Sequence, residues 1–239
     1  MCFSATASLT AGAGLAIGGL YAMRQSSRSI PQAMPLAALP LAFGVQQLLE
    51  GGVWVSLQTG AVPAGQVFAL GFLFFSHCFW LFWVPFSIFW LEERPVPKQI
   101  LLGITITGGV LGTSLYLPLL INNWVQVAIA QGHITYDVRL IYSDLIPWSW
   151  GRIFYAAIVL VPFFLSQRLA VNGLGGLIGL SIAITIGLYE SRFFISIWCF
   201  FAAIISTYLI YWLRAFPTPE TPSTAGDCDY GISEAGEGQ

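Results

Sequence analysis

The stretch FGVQQLLEGGVW, residues 43–54, places Gln46, Gln47 and Glu50 inside a run that is otherwise apolar enough to cross a lipid bilayer. Phe43, the two glutamines, Glu50 and Trp54 recur at intervals of three and four, which predicts that they share one face of a helix. A carboxylate deep in such a helix costs about 3 kcal/mol on insertion scales, so it indicates a functional site. We expect this polar face to lie against other helices rather than against lipid.

The composition is that of a polytopic membrane protein. Of the 239 residues, 56% are hydrophobic and only 8% are charged, whereas soluble domains carry about 25% charged residues. The mean hydropathy is +0.76. The lipid bilayer is therefore the expected partner, and no basic run indicates binding to nucleic acid.

Apolar runs long enough to cross the bilayer predict an all-α membrane protein with seven transmembrane helices. These runs are Phe3–Met23, Met34–Leu57, Val67–Leu91, Ile100–Ile121, Trp148–Leu165, Val171–Tyr189 and Phe193–Leu213. Glycines four residues apart predict close helix packing in three of them. The pairs are Gly14 and Gly18, Gly108 and Gly112, and Gly175 and Gly179. Prolines inside the runs are expected to kink their helices.

The basic residues predict an orientation, because cytoplasmic loops are enriched in Lys and Arg. One side of the membrane would carry Arg24, Arg28, Arg94, Lys98, Arg168 and Arg214, and the other Arg139, Arg152 and Arg192. The excess on the first side predicts that the N-terminus lies outside and the C-terminus lies in the cytoplasm.

The loop of residues 122–147, on the predicted outer side, has the alternating pattern of a β-hairpin. Apolar residues alternate with polar ones in residues 125–129 and again in 134–140, on either side of Gln131-Gly132-His133. We expect a small hairpin between the fourth and fifth helices, resting on the helix ends. An irregular amphipathic loop is the alternative.

The chain divides into a transmembrane domain, residues 1–214, and a tail, residues 215–239. Five of the eleven acidic residues lie in the tail, together with several Pro, Gly, Ser and Thr residues. Such a segment cannot bury enough apolar surface to fold, so the tail is predicted to be disordered and cytoplasmic.

The predicted topology brings several side chains that could bind a ligand or take part in catalysis into the outer half of the helix bundle. Besides the two glutamines, they are Cys2, Glu50, His77, Glu190, Arg192 and Cys199. These residues support a site that binds or transports a small molecule or ion, with Glu50 as a protonatable switch or the partner of a cation.

Two further classes of function remain open. Cys2 and Cys199, with His77 and Glu50, could hold a soft or borderline metal in a membrane-embedded enzyme that depends on the metal or on a thiol. Alternatively, the polar residues only join helices by hydrogen bonds, in a structural or assembly subunit. A retinal protein is excluded because Lys98, the single lysine, lies in a loop. No cofactor is identified.

Three short blocks resemble a bacterial family of uncharacterised multipass membrane proteins that begin Met-Cys-Phe-Ser-Ala. The blocks are MCFSATAS at residues 1–8, FGVQQLLEG at 43–51 and WCFFAA at 198–203. The resemblance runs from Met1 to about Leu213 and implies no activity, cofactor or ligand. It implies a location in a bacterial inner (plasma) membrane or another internal membrane. It also marks Trp198 as typical of the family, beside Cys2, Gln46, Gln47, Glu50 and Cys199, and adds Trp198 to the candidate binding residues.

Overall fold

The computed structural model describes residues 4–130, 132–143, 147–188 and 204–213, which form helices and one small sheet. In chain order the elements are α1 Ala5–Ser29, a 3-10 turn Pro31–Ala33, α2 Met34–Ala37, α3 Leu39–Thr59, α4 Val62–Phe74, a π-helical turn Phe75–Phe79, α5 Trp80–Leu91, α6 Pro95–Asn122, β1 Val125–Ala130, β2 His133–Val138, α7 Trp148–Leu165, α8 Leu169–Leu188 and α9 Ile204–Leu213.

Four helical stretches are long and apolar enough to cross a membrane. They are Ala5–Ser29, Pro31–Thr59, Val62–Leu91 and Pro95–Asn122, and they coincide with the first four predicted spans. The other three predicted spans correspond to the shorter apolar helices α7, α8 and α9. Residues 193–203 of the seventh span and the predicted acidic tail lie outside the described residues.

Glycine contacts join α1 to α3, which run antiparallel. A Cβ added to Gly19 would lie within 3 Å of the backbone of Leu41, and one added to Gly44 would lie 2.6 Å from the backbone nitrogen of Ala16. Only glycine permits backbones to approach this closely. Of the predicted pair Gly14 and Gly18, only Gly18 lies at a close contact, since its added Cβ would lie 3.1 Å from the Ile210 side chain of α9, whereas one at Gly14 meets nothing within 4 Å.

The predicted pair Gly108 and Gly112 does form a close contact, between α6 and the third span. A Cβ on Gly108 would collide with the carbonyl oxygen of Leu81, and one on Gly112 would lie 2.9 Å from that of Cys78. Pro85 has no N–H to donate to the Leu81 carbonyl, so this oxygen is left facing α6. The proline and the glycines thus act together at one helix crossing.

The predicted hairpin is confirmed. Strands β1 and β2 pair antiparallel, with Val125 opposite Val138 and Ala130 opposite His133. Val125 and Ile134 are buried in a cluster with Trp54 and Phe72 from the helices. The Tyr136 ring stacks on Phe72 with their centroids 4.9 Å apart. The hairpin therefore packs against α3 and α4.

Hydrogen bonds of one arginine connect two parts of the chain at the end of the bundle opposite the hairpin. The Arg94 guanidinium bonds to the Glu92 carboxylate at 2.9 Å and donates to the carbonyl oxygen of Leu165 at 2.6 Å. Leu165 is the last residue of α7, whose terminal carbonyls lack partners within the helix and attract a cation. One side chain thus joins the α5–α6 loop to the end of α7.

We predict that Gly19→Ala destabilises the protein and that Gly14→Ala does not. The methyl group at residue 19 would force α1 away from α3, and such overpacking costs about 1–3 kcal/mol. At the exposed Gly14 the same change meets open space and favours the helix. Thermal unfolding in detergent, followed by circular dichroism, measures both. Equal melting temperatures for the two variants would contradict the close α1–α3 contact.

We also predict that the ion pair between Glu92 and Arg94 weakens in acid. Its hydrogen bonds with Arg94 hold the pKa of the Glu92 carboxyl below its ordinary value. A lowered pKa contributes stability that is present above the ordinary value, about 4.3, and is lost as the pH falls through the folded-state pKa. Between about pH 5 and about pH 3, the melting temperature of the parent should therefore fall further than that of Glu92→Gln. The exposed neighbour provides the control, Glu93→Gln, which should behave as the parent does.

Candidate functional site

The polar face of α3 points into the protein, as the spacing predicts. Gln46, Gln47 and Glu50 are 4%, 2% and 1% exposed, and Trp54 on the same face is also buried. Helix α3 ends where Gly60 adopts φ 72°, a left-handed conformation that favours glycine. Glu50 lies nine residues before Thr59, hence about 14 Å along the helix from its hairpin end.

Two hydrogen bonds order these side chains. The Gln47 amide donates to the Glu50 carboxylate at 3.3 Å, within one turn of α3. The Trp80 indole N–H donates to the Gln46 side-chain oxygen at 2.9 Å and so joins α5 to α3. The Trp80 ring also stacks on Phe43, with centroids 4.1 Å apart. We call Gln46, Gln47, Glu50 and Trp80 the polar cluster.

Sequence reasoning missed Trp80, which is one of several aromatic residues in its helix. Its position follows from the π-helical turn just before it, because the extra residue in such a turn shifts the faces of the helix that follow. The Phe79 ring packs edge-on against Trp80 at 5.0 Å and fixes its orientation. The contact between Trp80 and Gln46 could have been predicted only from the order of the helices in space, which a single sequence does not give.

His77 lies on the π-helical turn and is not hydrogen-bonded to the polar cluster within the described part of the chain. Its Nδ1 lies 2.9 Å from the Ser76 hydroxyl, which in turn lies 3.3 Å from the carbonyl oxygen of Leu73. The hydroxyl has one proton to give, and the carbonyl can only accept. The network is therefore satisfied when His77 carries its proton on Nδ1.

Five of the predicted site residues lie outside the described residues. They are Cys2, Glu190, Arg192, Trp198 and Cys199. Across residues 4–130, 132–143, 147–188 and 204–213, no group of three or more His, Cys, Asp or Glu side chains could hold a metal ion. The proposed metal ligands Cys2 and Cys199 are not tested by this observation.

A separate apolar groove of about 780 Å³ lies between the π-helical turn and α6. Cys78, Phe79 and Thr113 are among its lining residues, and Gly109 leaves room for it. None of the polar cluster lines this groove. Its walls suit lipid or other apolar matter rather than an ion.

The chain belongs to a family of unknown function, DUF6629, whose model matches residues 1–224. This match confirms the predicted membership of an uncharacterised family. Searches of curated proteins and of solved structures found no match. The structure shows what Ser4, a residue of the block MCFSATAS, does in the fold. Its side chain caps α1 by accepting a hydrogen bond from the backbone N–H of Ala7 at 3.2 Å.

We predict that Trp80→Phe destabilises the protein. Phenylalanine retains a ring against Phe43 but removes the N–H that satisfies the buried oxygen of Gln46, and an unpaired buried group costs about 1–3 kcal/mol. The melting temperature in detergent measures the loss. The control is Trp90→Phe, at a tryptophan that is 52% exposed, and it should change little. Equal effects of the two substitutions would show that the hydrogen bond to Gln46 contributes nothing.

Proposed function

We propose that this protein is a seven-helix integral membrane protein that binds or transports a small molecule or ion at the polar cluster. The observation that carries the proposal is the burial of Glu50, which is 1% exposed in the middle of an apolar helix. Ionisable groups are costly in such a position and usually line a pathway or a binding site.

The distribution of charge supports the orientation. Arg24, Arg28, Arg94, Lys98 and Arg168 lie toward the end of the bundle opposite the hairpin, and Arg139 lies just after the hairpin. Because cytoplasmic loops are enriched in basic residues, we assign the end with more of them to the cytoplasm. In this orientation the hairpin faces outward and the C-terminus is cytoplasmic. The membrane would be the inner membrane or another internal membrane of a bacterium. Glu50 then lies in the outer half of the bundle.

In this proposal Glu50 acts as a protonatable switch. Gln47 donates to its carboxylate at 3.3 Å. When Glu50 takes up a proton, the carboxyl can donate a hydrogen bond as well as accept one. The same group therefore offers different hydrogen bonds to a ligand before and after protonation.

The alternatives predict different results. The bond from Trp80 to Gln46 joins two helices and favours, for Gln46 alone, a role in holding the bundle together. A metal- or thiol-dependent enzyme would instead use Cys2 and Cys199. A stoichiometric metal in the purified protein that is lost in Cys2→Ser would favour that enzyme over transport.

The proposal is tested by proton flux in liposomes. Purified protein is reconstituted with a pH-sensitive dye inside, and a potassium gradient with valinomycin sets the membrane potential. The parent should show flux above that of empty liposomes. Glu50→Gln keeps the shape of the side chain but cannot ionise, so it should reduce the flux by about tenfold or more.

The matched control is Glu93→Gln, which alters an exposed glutamate in the α5–α6 loop and should retain the flux of the parent. If Glu50→Gln reconstitutes equally well and its flux equals that of the parent, Glu50 is not the protonatable switch.

A further inference from the structure

The apolar groove between the π-helical turn and α6 is long, because the two helical segments that form it run side by side in opposite directions. Near one end, an added Cβ on Gly109 would lie 3.3 Å from the Phe82 ring. Near the other end, the rings of Phe74 and Tyr116 have their centroids 5.4 Å apart. From Gly109 to Pro118 the groove follows α6 for about nine residues, or about 14 Å.

The groove has a closed floor and one open side. An added Cβ on Gly112 would lie 2.9 Å from the Cα atom of Cys78, so the third span and α6 touch at this level. Gly112 is buried, whereas Val110 and Thr113, which line the groove, are exposed. The close contact therefore lies on the inner side of the groove, and the open side faces away from the protein.

The polar side chains in the walls of the groove already have partners. The Cys78 thiol is hydrogen-bonded with the Thr113 side chain. The Ser114 hydroxyl donates to the carbonyl oxygen of Leu111 at 2.8 Å. The other lining side chains are aromatic or aliphatic, apart from Gly109. A charged or strongly polar ligand would lose its hydration there without gaining enough hydrogen bonds, so the walls favour an apolar occupant.

We propose that this groove binds one acyl chain of a membrane phospholipid. Apolar side chains with much exposed surface stand along the groove: Val110, Leu117 and Phe82 are 68%, 46% and 38% exposed. In a bilayer the open side of the groove therefore faces lipid tails. An acyl chain is apolar and flexible and lies roughly parallel to helices that cross the membrane, so it matches the direction of the groove. Its binding energy comes from van der Waals contacts with the walls.

The groove extends to the hairpin end of the bundle. Pro118 near the end of α6 and Ile141 just after β2 are both lining residues. The chain thus belongs to a phospholipid of the leaflet on the hairpin side, which is the outer leaflet in the proposed orientation. This inference rests on the proposed membrane location but not on the role of Glu50, because none of the polar cluster lines the groove.

Photo-crosslinking tests the site. The protein is reconstituted in liposomes that contain a trace of phosphatidylcholine with a diazirine in one acyl chain, and mass spectrometry of peptides locates the crosslinks after illumination. A lipid that only surrounds the protein should label all exposed apolar faces alike. We expect the crosslinks at residues 74–82 and 109–118 to be several times more frequent than those around Ile17 of α1, which is 70% exposed.

Two matched pairs of variants show whether the groove itself holds the chain. Thr113→Phe places a ring in the groove and should reduce the crosslinks there by about threefold or more, because the ring fills the space of the chain. Thr107→Phe makes the same change at an exposed threonine of α6 outside the groove and should leave them unchanged. Val110→Trp, in the groove, and Ile106→Trp, outside it, form the second pair and should behave in the same way.

Three results would overturn the proposal. Crosslinks that are as frequent around Ile17 as in the groove would show surrounding lipid only. Equal losses in Thr113→Phe and Thr107→Phe would show that the groove is not the site. Loss of a dimer in Thr113→Phe, measured by native mass spectrometry, would show that a second copy of the chain covers the groove. Crosslinks around Ile17 also report the membrane location by themselves, and proton flux is measured separately, so the proposed function and this inference can fail independently.

Discussion

The enclosure of one carboxylate within an apolar helix bundle constrains the rest of the structure. Glu50 is 1% exposed, so protein surrounds it on nearly every side. The Gln47 amide meets it from its own helix, and Gln46 on the same face receives a bond from Trp80 of α5. The arrangement is polar on one face of α3 only. The other faces of α3 are left for close contact with neighbouring helices.

Glycines make that contact possible. Helices that lie in lipid, as we propose for this protein, gain little hydrophobic energy when they meet, so their association depends on close backbone packing and on polar bonds. Gly44 brings α3 against α1, and Gly108 brings α6 against the carbonyl group of Leu81. The two contacts hold the helices on which Glu50 and Trp80 lie. Packing and the polar cluster are thus parts of one arrangement.

The sequence predicts where the helices and strands lie along the chain better than it predicts which of them pack against each other. Hydropathy places the helices and alternation places the hairpin, because both are periodic properties of a single segment. The face shared by Gln46 and Glu50 follows from the same periodicity. The contact of Gly19 with α3 could not be predicted, since a helix has several possible faces and one sequence does not say which meets a given partner. Trp80 was missed for the same reason, and the π-helical turn that rotates it has no clear sequence signal.

The most direct test of the central claim is whether Glu50 reacts with a hydrophobic carbodiimide in the bilayer. Dicyclohexylcarbodiimide modifies protonated carboxyl groups in apolar surroundings, and mass spectrometry of peptides locates the product. If Glu50 is a protonatable group within a binding site, the peptide containing it should be modified, the modification should be absent in Glu50→Gln, and Glu92 and Glu93 should remain unmodified. If Glu50 stays unmodified in folded, reconstituted protein, it is sealed between helices, and the account of a functional site is contradicted.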